Sequence, residues 1–518
     1  MDAMGSKDQM KRSQFEKEDV SRAPLFEAMV AHHAKRPASF HVPGHKSGQG
    51  LTGDAKRFYQ DIMSIDYTEI TGLDDLHHPE EAIMEAEQLA AACFGAEETF
   101  FLVGGSTAGN LAMILATCAP GDLILVQRNV HKSVLHGLML AQAKAVFIAP
   151  RVHEASGVAA GLRLADVQEA VRRYPTAKAL LLTNPNYYGM GVDLTPFAKL
   201  LHASDRLLLV DEAHGAHYGF HEALPASALS QGADAVVQST HKMLTAMTMG
   251  AMLHVQGPRI DRSAVRQMLA MLQSSSPSYP IMASLDLARR RLHTEGAAWI
   301  AQGLATVQAF RERLDATGVI GYFPQHFPVA AGESSHETAD PFKITIYDQT
   351  GTLTGSQLKD QLEDQGCYVE MTDGHLVLLV FTPATSQEEM LRAAEALDNI
   401  CWDIRREKQE LQAPISNILK LPYYTPISSP VAFARKAGWQ GAGSDDVYSE
   451  VDAQEAIGHC SADMVIPYPP GIPYLYPGEV ITASSVEALI ALHGRGIRFQ
   501  GTDFGHTKQL RIYKPITK

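Results

Sequence analysis

Lys242 lies in the run Ser239-Thr240-His241-Lys242, directly after the apolar stretch Ala235-Val236-Val237-Gln238. A lysine at a buried strand end is costly as a cation. Burial lowers its pKa and makes the amine a nucleophile toward an aldehyde. The plain alternative is a lysine whose stem lies along the surface with its charge in water. Thirty-one residues earlier, Asp211-Glu212-Ala213-His214 follows Leu207-Leu208-Leu209-Val210. A carboxylate at that strand end can pair with a protonated ring nitrogen, or it can cap the next helix. Gly104-Gly105-Ser106-Thr107-Ala108-Gly109-Asn110 joins an apolar run to a helical one. Its glycines, free N–H groups and hydroxyls suit a phosphate, or serve as an ordinary turn. His131, in Arg128-Asn129-Val130-His131-Lys132-Ser133, offers a flat imidazole to a ring, or opens a helix.

Two other readings of the same residues are weaker. Asp-Glu-Ala-His is also the box of RNA helicases, but the phosphate-binding lysine loop of such enzymes is missing. The formal net charge of −14 also disfavours nucleic acid and anionic membrane as partners. His214, His217 and His221 are closely spaced, yet not as His-Glu-x-x-His, and no carboxylate set accompanies them, so no metal is expected.

These residues need elements to hold them. Short apolar strands are expected at 99–103, Leu123–Val126, Ala145–Ile148, Ala179–Thr183, Leu207–Val210, Ala235–Gln238 and Gly250–His254, with helices such as Asn110–Cys118 and Leu164–Arg173 between them. That alternation predicts an α/β fold with a mostly parallel sheet covered on both faces, and ligands at the carboxyl ends of its strands. A smaller α+β unit is expected from about Pro341. It comprises a strand at Lys343–Tyr347, a helix at Thr354–Gln365, a hairpin of Tyr368–Met371 and Leu376–Phe381 turning at Thr372-Asp373-Gly374, and a helix at Ser386–Arg405. Pro422–Gly443 reads as an extended surface loop. The prolines of 466–473 forbid helix there.

The chain has 518 residues, 45% hydrophobic and 20% charged, ordinary values for a globular protein of two to four domains. Five scattered cysteines fit reduced thiols in the cytoplasm. No apolar run is long enough to cross a bilayer. The first nineteen residues are polar and charged, unlike a secretory signal.

Taken jointly, the four stretches supply a phosphate cradle, a ring-stacking group, a carboxylate for a ring nitrogen and a lysine for an aldehyde. A pyridoxal 5′-phosphate (PLP) site demands those groups. With His41-Val42-Pro43-Gly44-His45, Gly72-Leu73-Asp74-Asp75-Leu76-His77, Pro467-Tyr468-Pro469-Pro470-Gly471 and Pro477-Gly478-Glu479, they make the chain resemble the Orn/Lys/Arg decarboxylases, fold type I PLP enzymes, from about Pro24 to Ile512. It is most similar to the short forms without an N-terminal receiver-like domain, typified by biosynthetic arginine decarboxylases. The resemblance implies a tail at 1–20, an arm at 21–60, a PLP-binding large domain at 61–335, a small α+β domain at 336–410 and a C-terminal family domain at 411–518.

The resemblance also assigns roles. Lys242 matches the Schiff-base lysine, Asp211 the partner of the pyridine nitrogen, and His131 the stacking group. Ser106, Thr107, Ala108, Ser239 and His241 match phosphate and near-lysine positions. His214 matches a cofactor-contacting position where long forms can carry Trp. Ser274 matches a phosphate contact given by a neighbouring subunit, which implies a homodimer with shared active sites or a higher homo-oligomer. Lys242 and His241 are both candidates to protonate Cα. Asp74, Glu370, Asp463 and Glu479 are candidates to meet the cationic end of a basic amino acid, with arginine first, then lysine or ornithine. Transamination and retro-aldol cleavage are the alternative reactions, and a nucleic-acid ATPase is a remote one.

Overall fold

A computed structural model describes residues 19–153, 156–323, 337–407, 426–433, 448–468, 472–494 and 497–513. The 1–18 tail, Pro469-Pro470-Gly471 and most of the 422–443 segment lie outside them. The central sheet is built from β1 (Glu98–Leu102), β2 (Leu123–Gln127), β3 (Lys144–Ile148), β4 (Ala179–Thr183), β6 (Leu207–Asp211), β7 (Ala235–Gln238) and β8 (Ala251–Val255), and β5 (Met190–Val192) lies apart from it. The strand order is β1-β8-β7-β6-β4-β2-β3, followed by a last two-residue strand, Val431–Ala432. Neighbours from β3 to β7 run parallel, and β8 is antiparallel to both β7 and β1. The strands are almost wholly buried, as expected when helices cover both faces. Every large-sheet strand expected from the apolar runs is present, with ends moved by at most one residue.

The helix Gly105–Thr117 lies hard against this sheet. A Cβ added at Gly109 would stand 2.4 Å from Val237 Cγ2 and 2.9 Å from Leu102 Cδ1. Glycine therefore lets the helix axis approach β7 closely enough to aim its N-terminus at the strand ends. Gly105 begins the helix with a positive φ of 71°.

A 39-residue helix, Tyr279–Thr317, leads to the second sheet. That sheet has the order β12-β13-β11-β9, all antiparallel, and contains β9 (Ile320–Tyr322), β11 (Lys343–Asp348), β12 (Met371–Asp373) and β13 (Leu376–Val380). β10 (Glu337–Ala339) pairs instead with β5. The hairpin turn differs from expectation: it falls at Gly374-His375, and Tyr368 is exposed coil rather than strand. Gly374 takes a φ of 60°, which places the reversal there. The helices Gly355–Asp364 and Gln387–Glu407 accompany this sheet.

The segment expected as a plain surface loop also differs. Its two residues Val431–Ala432 form β14, antiparallel to Ala145 and Lys144 of β3. β14 is the outermost strand of the large sheet. The C-terminal region then forms two small ribbons. β15 (Tyr448–Asp452) pairs with β18 (Gln509–Tyr513), and β16 (Ile466–Tyr468) pairs with β17 (Arg498–Gln500).

Candidate active site

Asp211 is the last residue of β6, and Lys242 follows β7 on the short helix Thr240–Met243. The two strands are adjacent and parallel, with Asp211 opposite Val237. Both groups therefore emerge at the carboxyl edge of the sheet, where such folds place their ligands. The Gly105–Thr117 helix and the helix Lys132–Ala141, with His131 as its N-cap, begin at the same edge after β1 and β2.

A chain of hydrogen bonds joins three of these elements. Asn110 Nδ2 donates to Asp211 Oδ2 at 2.9 Å and to Ser133 Oγ at 3.0 Å. The Ala213 N–H donates to Asp211 Oδ1 at 3.1 Å. Ser133 Oγ lies 2.9 Å from His131 Nδ1, and the Ser133 N–H donates to the same nitrogen at 3.2 Å. Nδ1 is thus an acceptor, so the neutral ring carries its proton on Nε2. Burial pushes the His131 pKa down to about 4, against the pull of Asp211, which keeps that ring neutral.

The second cluster centres on His214, which is buried. Lys242 Nζ stands 3.0 Å from His214 Nε2, and Lys343 Nζ stands 3.3 Å from Nδ1. The Tyr187 ring packs on His214 at 4.6 Å and lies 5.5 Å from Lys242 Nζ. Burial is the main cause that lowers the pKa of Lys242, partly opposed by Asp211 and Glu370. Burial likewise pushes Lys343 down to about 8. His214 is held well below its ordinary value by burial first and the two lysines next. Burial also lowers His241, whose Nδ1 faces the Gly250 carbonyl at 2.9 Å.

The residues fit PLP. Ser239 Oγ and Thr240 Oγ1 are buried and have no hydrogen-bond partner among the described residues. Such hydroxyls await an acceptor. Together with the first turn of the Gly105 helix, where Ser106, Thr107 and Ala108 lie and the leading N–H groups have no intrahelical partner, they suit a phosphate. Asp211 suits a pyridine N–H, His131 a ring face, and Lys242 an aldehyde.

The other candidates are placed differently. Asp74 accepts backbone N–H groups from Asp75, Glu80, Glu81, Ile83 and Met84, which outweigh burial and lower its pKa. Asp463 pairs with Arg511 at 2.5 Å. Glu479 pairs with Arg128 at 2.7 Å. Glu370 is exposed, and its charge acts on both Lys242 and Lys343. Ser274 is exposed on the loop before the 39-residue helix, where its carbonyl meets His77 Nε2 at 2.8 Å. No hydrogen bond among the described residues ties it to the Lys242 cluster. His217 faces Asp340 at 3.1 Å, and His221 Nδ1 accepts from the Ala223 N–H. Among the described residues, no group of three His, Cys, Asp or Glu side chains is arranged to hold a metal.

Sequence reasoning passed over Asn110, Ser133, Tyr187 and Lys343. Asn110 and Ser133 stood inside quoted motifs, beside the residues they hold. Lys343 carried no local signal, because it opens an ordinary strand of the second sheet.

The Orn/Lys/Arg decarboxylase major-domain model matches residues 23–389, and the C-terminal-domain model of the same family matches 434–499. An uncharacterized protein of Bacillus subtilis, YaaO, is 40% identical over 95% of this chain and 98% of its own length. An arginine decarboxylase of Bacillus anthracis is 35% identical, again over 95% and 98%. The fold is that of the Francisella novicida lysine decarboxylase structure, with a TM-score of 0.79 at 21% identity over 95% of this chain and 80% of that one. No helix among the described residues is long and apolar enough to cross a membrane. With the family model covering the sheet edge that carries Asp211 and Lys242, the chain belongs to the Orn/Lys/Arg decarboxylase family, PLP-dependent enzymes of fold type I.

Proposed function

We propose that this chain removes the α-carboxylate of arginine and releases agmatine and carbon dioxide. Basic amino-acid decarboxylation follows from the family. The observation that carries the site assignment is the emergence of Asp211 and Lys242 from adjacent parallel strands, with Lys242 Nζ 3.0 Å from His214. Arginine is preferred over lysine because relatives named arginine decarboxylase are 33–36% identical, whereas those named lysine decarboxylase are 24–25% identical.

PLP, when bound, supplies an electron sink for the pair left behind as the Cα–carboxylate bond breaks. The residues of this chain do the rest. Lys242 would hold the aldehyde carbon and yield it to the amino acid. Asp211, held by Asn110 and Ala213, would favour a proton on the ring nitrogen. His131, neutral, would offer its face to the ring. The Gly105 helix start and the Ser239 and Thr240 hydroxyls would hold the phosphate end, so that orientation would set which bond breaks. Lys242 and His241 are the two groups placed to return a proton to Cα. Glu370, with no hydrogen bond to its carboxylate among the described residues, is the best placed of the four candidate carboxylates to meet a guanidinium.

The active unit is proposed to be a homodimer in which Ser274 serves the partner's site, in keeping with its exposure. A cytoplasmic location is supported by five cysteines that are all free thiols. The test is a panel of arginine, lysine, ornithine and neutral amino acids, scored by amine product and carbon dioxide. Agmatine as the leading product supports the proposal. Cadaverine or putrescine in excess would reassign the substrate, and keto acid without carbon dioxide would overturn decarboxylation. Lys242→Ala is expected to lose the visible band of bound cofactor along with activity.

A further inference from the structure

His214 is a single imidazole between two lysine amines. Lys242 Nζ is 3.0 Å from Nε2 and Lys343 Nζ is 3.3 Å from Nδ1. A neutral imidazole has one N–H and one lone pair, so it accepts from only one of them. Both contacts are hydrogen bonds only if one amine offers its own lone pair, which means that amine is uncharged. Two ammonium groups on this ring would leave one N–H pointing at a cation, in a buried place where the repulsion is poorly screened. Geometry alone therefore restricts the trio to one ammonium while the ring is neutral.

The surroundings do not relieve this restriction. Lys242 faces Asp211 and His214 from the end of β6, Tyr187 from the loop before β5, His131 from the start of the Lys132–Ala141 helix, Glu370 from the segment before β12, and its own neighbour His241. Asp211 already accepts two hydrogen bonds, and Glu370 is exposed and acts on both lysines alike. Each amine has one carboxylate of its own to support a charge, Asp211 for Lys242 and Asp340 for Lys343, so either can carry the shared proton.

We propose that Lys343 is a positioning residue for Lys242: acting through His214, it makes the two amines one coupled titrating unit that shares a single proton, so that a larger fraction of Lys242 is free amine at neutral pH than in the same pocket without Lys343. The inference rests on Lys242 being the residue that captures the cofactor aldehyde. In that capture the amine's lone pair forms the carbon–nitrogen bond. The aldehyde oxygen then leaves as water with the two amine hydrogens, so a prior proton on nitrogen blocks the reaction. Burial lowers both lysines, Lys343 to about 8 with the charge of Lys242 adding to the fall, which agrees with a proton shared between the two amines.

The experiment has two arms. In the first, the full-length chain cleared of cofactor is labelled with trace acetic anhydride across the neutral to alkaline range. The Lys242 and surface-lysine midpoints are then read by mass spectrometry. The Lys242 midpoint is expected below that of exposed lysines in the wild type. A midpoint equal to theirs would overturn the proposal without any variant. In the second, capture of pyridoxal 5′-phosphate is followed by absorbance against pH. In Lys343→Met the apparent pKa of capture is expected to rise by roughly one unit, with capture about tenfold slower at neutral pH. Lys343→Arg, which keeps the charge, is expected to stay near the wild-type curve. A Lys343→Met curve that overlies the wild type would also sink the idea. If no form captured pyridoxal phosphate, the cofactor role of Lys242 would fail instead, and the Lys242 labelling midpoints of wild type and Lys343→Met would still decide the coupling.

Discussion

The Asp211 carboxylate is buried, and its two donors are the Asn110 amide and the Ala213 N–H. Replacing Asn110 by Leu removes one donor from a buried charge and also the donor to Ser133 Oγ, which keeps its contact with His131. Asn110→Leu is expected to cost about 1–3 kcal/mol in urea denaturation and to weaken cofactor binding. Glu370→Gln leaves shape intact and removes one charge at the mouth. It is expected to raise KM for arginine about tenfold while cofactor capture persists; steady-state kinetics beside a PLP titration separate the two. At this scale the sequence made the charged and ring-bearing residues visible, because each followed an apolar run. It did not reveal Lys343, whose neighbours in the chain are those of any edge-to-core strand. Nor did it rank the four carboxylates, since a cap such as Asp74 and an open group such as Glu370 look alike until their donors are known.

Among the elements, the helix Gly105–Thr117 depends on the close approach at Gly109. Gly109→Val would force two methyl groups into Val237 and Leu102. A loss of about 1–3 kcal/mol is expected, with weaker PLP binding as the helix start is displaced; thermal melts with and without cofactor report both. Next to Asp211, the side chain of Glu212 is fully buried, accepting from Gln238 Nε2 at 2.7 Å and from the Ala228 N–H at 2.8 Å. Burial pushes its pKa up to about 8 from the ordinary 4.5. The folded chain therefore keeps a proton that the unfolded chain releases. That contribution to stability is complete below the ordinary value and is lost as pH rises through about 8. In Glu212→Gln, denaturation midpoints should fall less steeply over that window than in the wild type. The strands themselves were legible because continuous apolar runs of four or five residues are the signature of a doubly covered sheet. Val431–Ala432 was not, because two residues paired through their backbones leave no pattern of side chains.

For the molecule as a whole, Arg128 clasps the C-terminal region to the large sheet. Its guanidinium pairs with Glu479 and lies 3.9 Å from the centre of the Tyr476 ring, and the Tyr476 hydroxyl donates to the Arg128 carbonyl. Glu479→Ala is expected to destabilise by about 2 kcal/mol while leaving KM for arginine within about twofold of the wild type. A tenfold rise in KM would return Glu479 to the substrate. The strand, helix, hairpin and helix that follow Pro341 were readable in that order, but the contacts that join them to the large sheet were not, since those link residues a hundred or more positions apart. One such contact is the Lys343 amine on His214. Lys242 is carried by the large sheet and Lys343 by the smaller antiparallel one, and the ring between them leaves little slack in either bond. A shift of one layer by about an ångström would carry the amine out of hydrogen-bond reach. The readiness of Lys242 to react is then a gauge of alignment: it reports, in the titration of one amine, whether the two sheets of the chain are seated together.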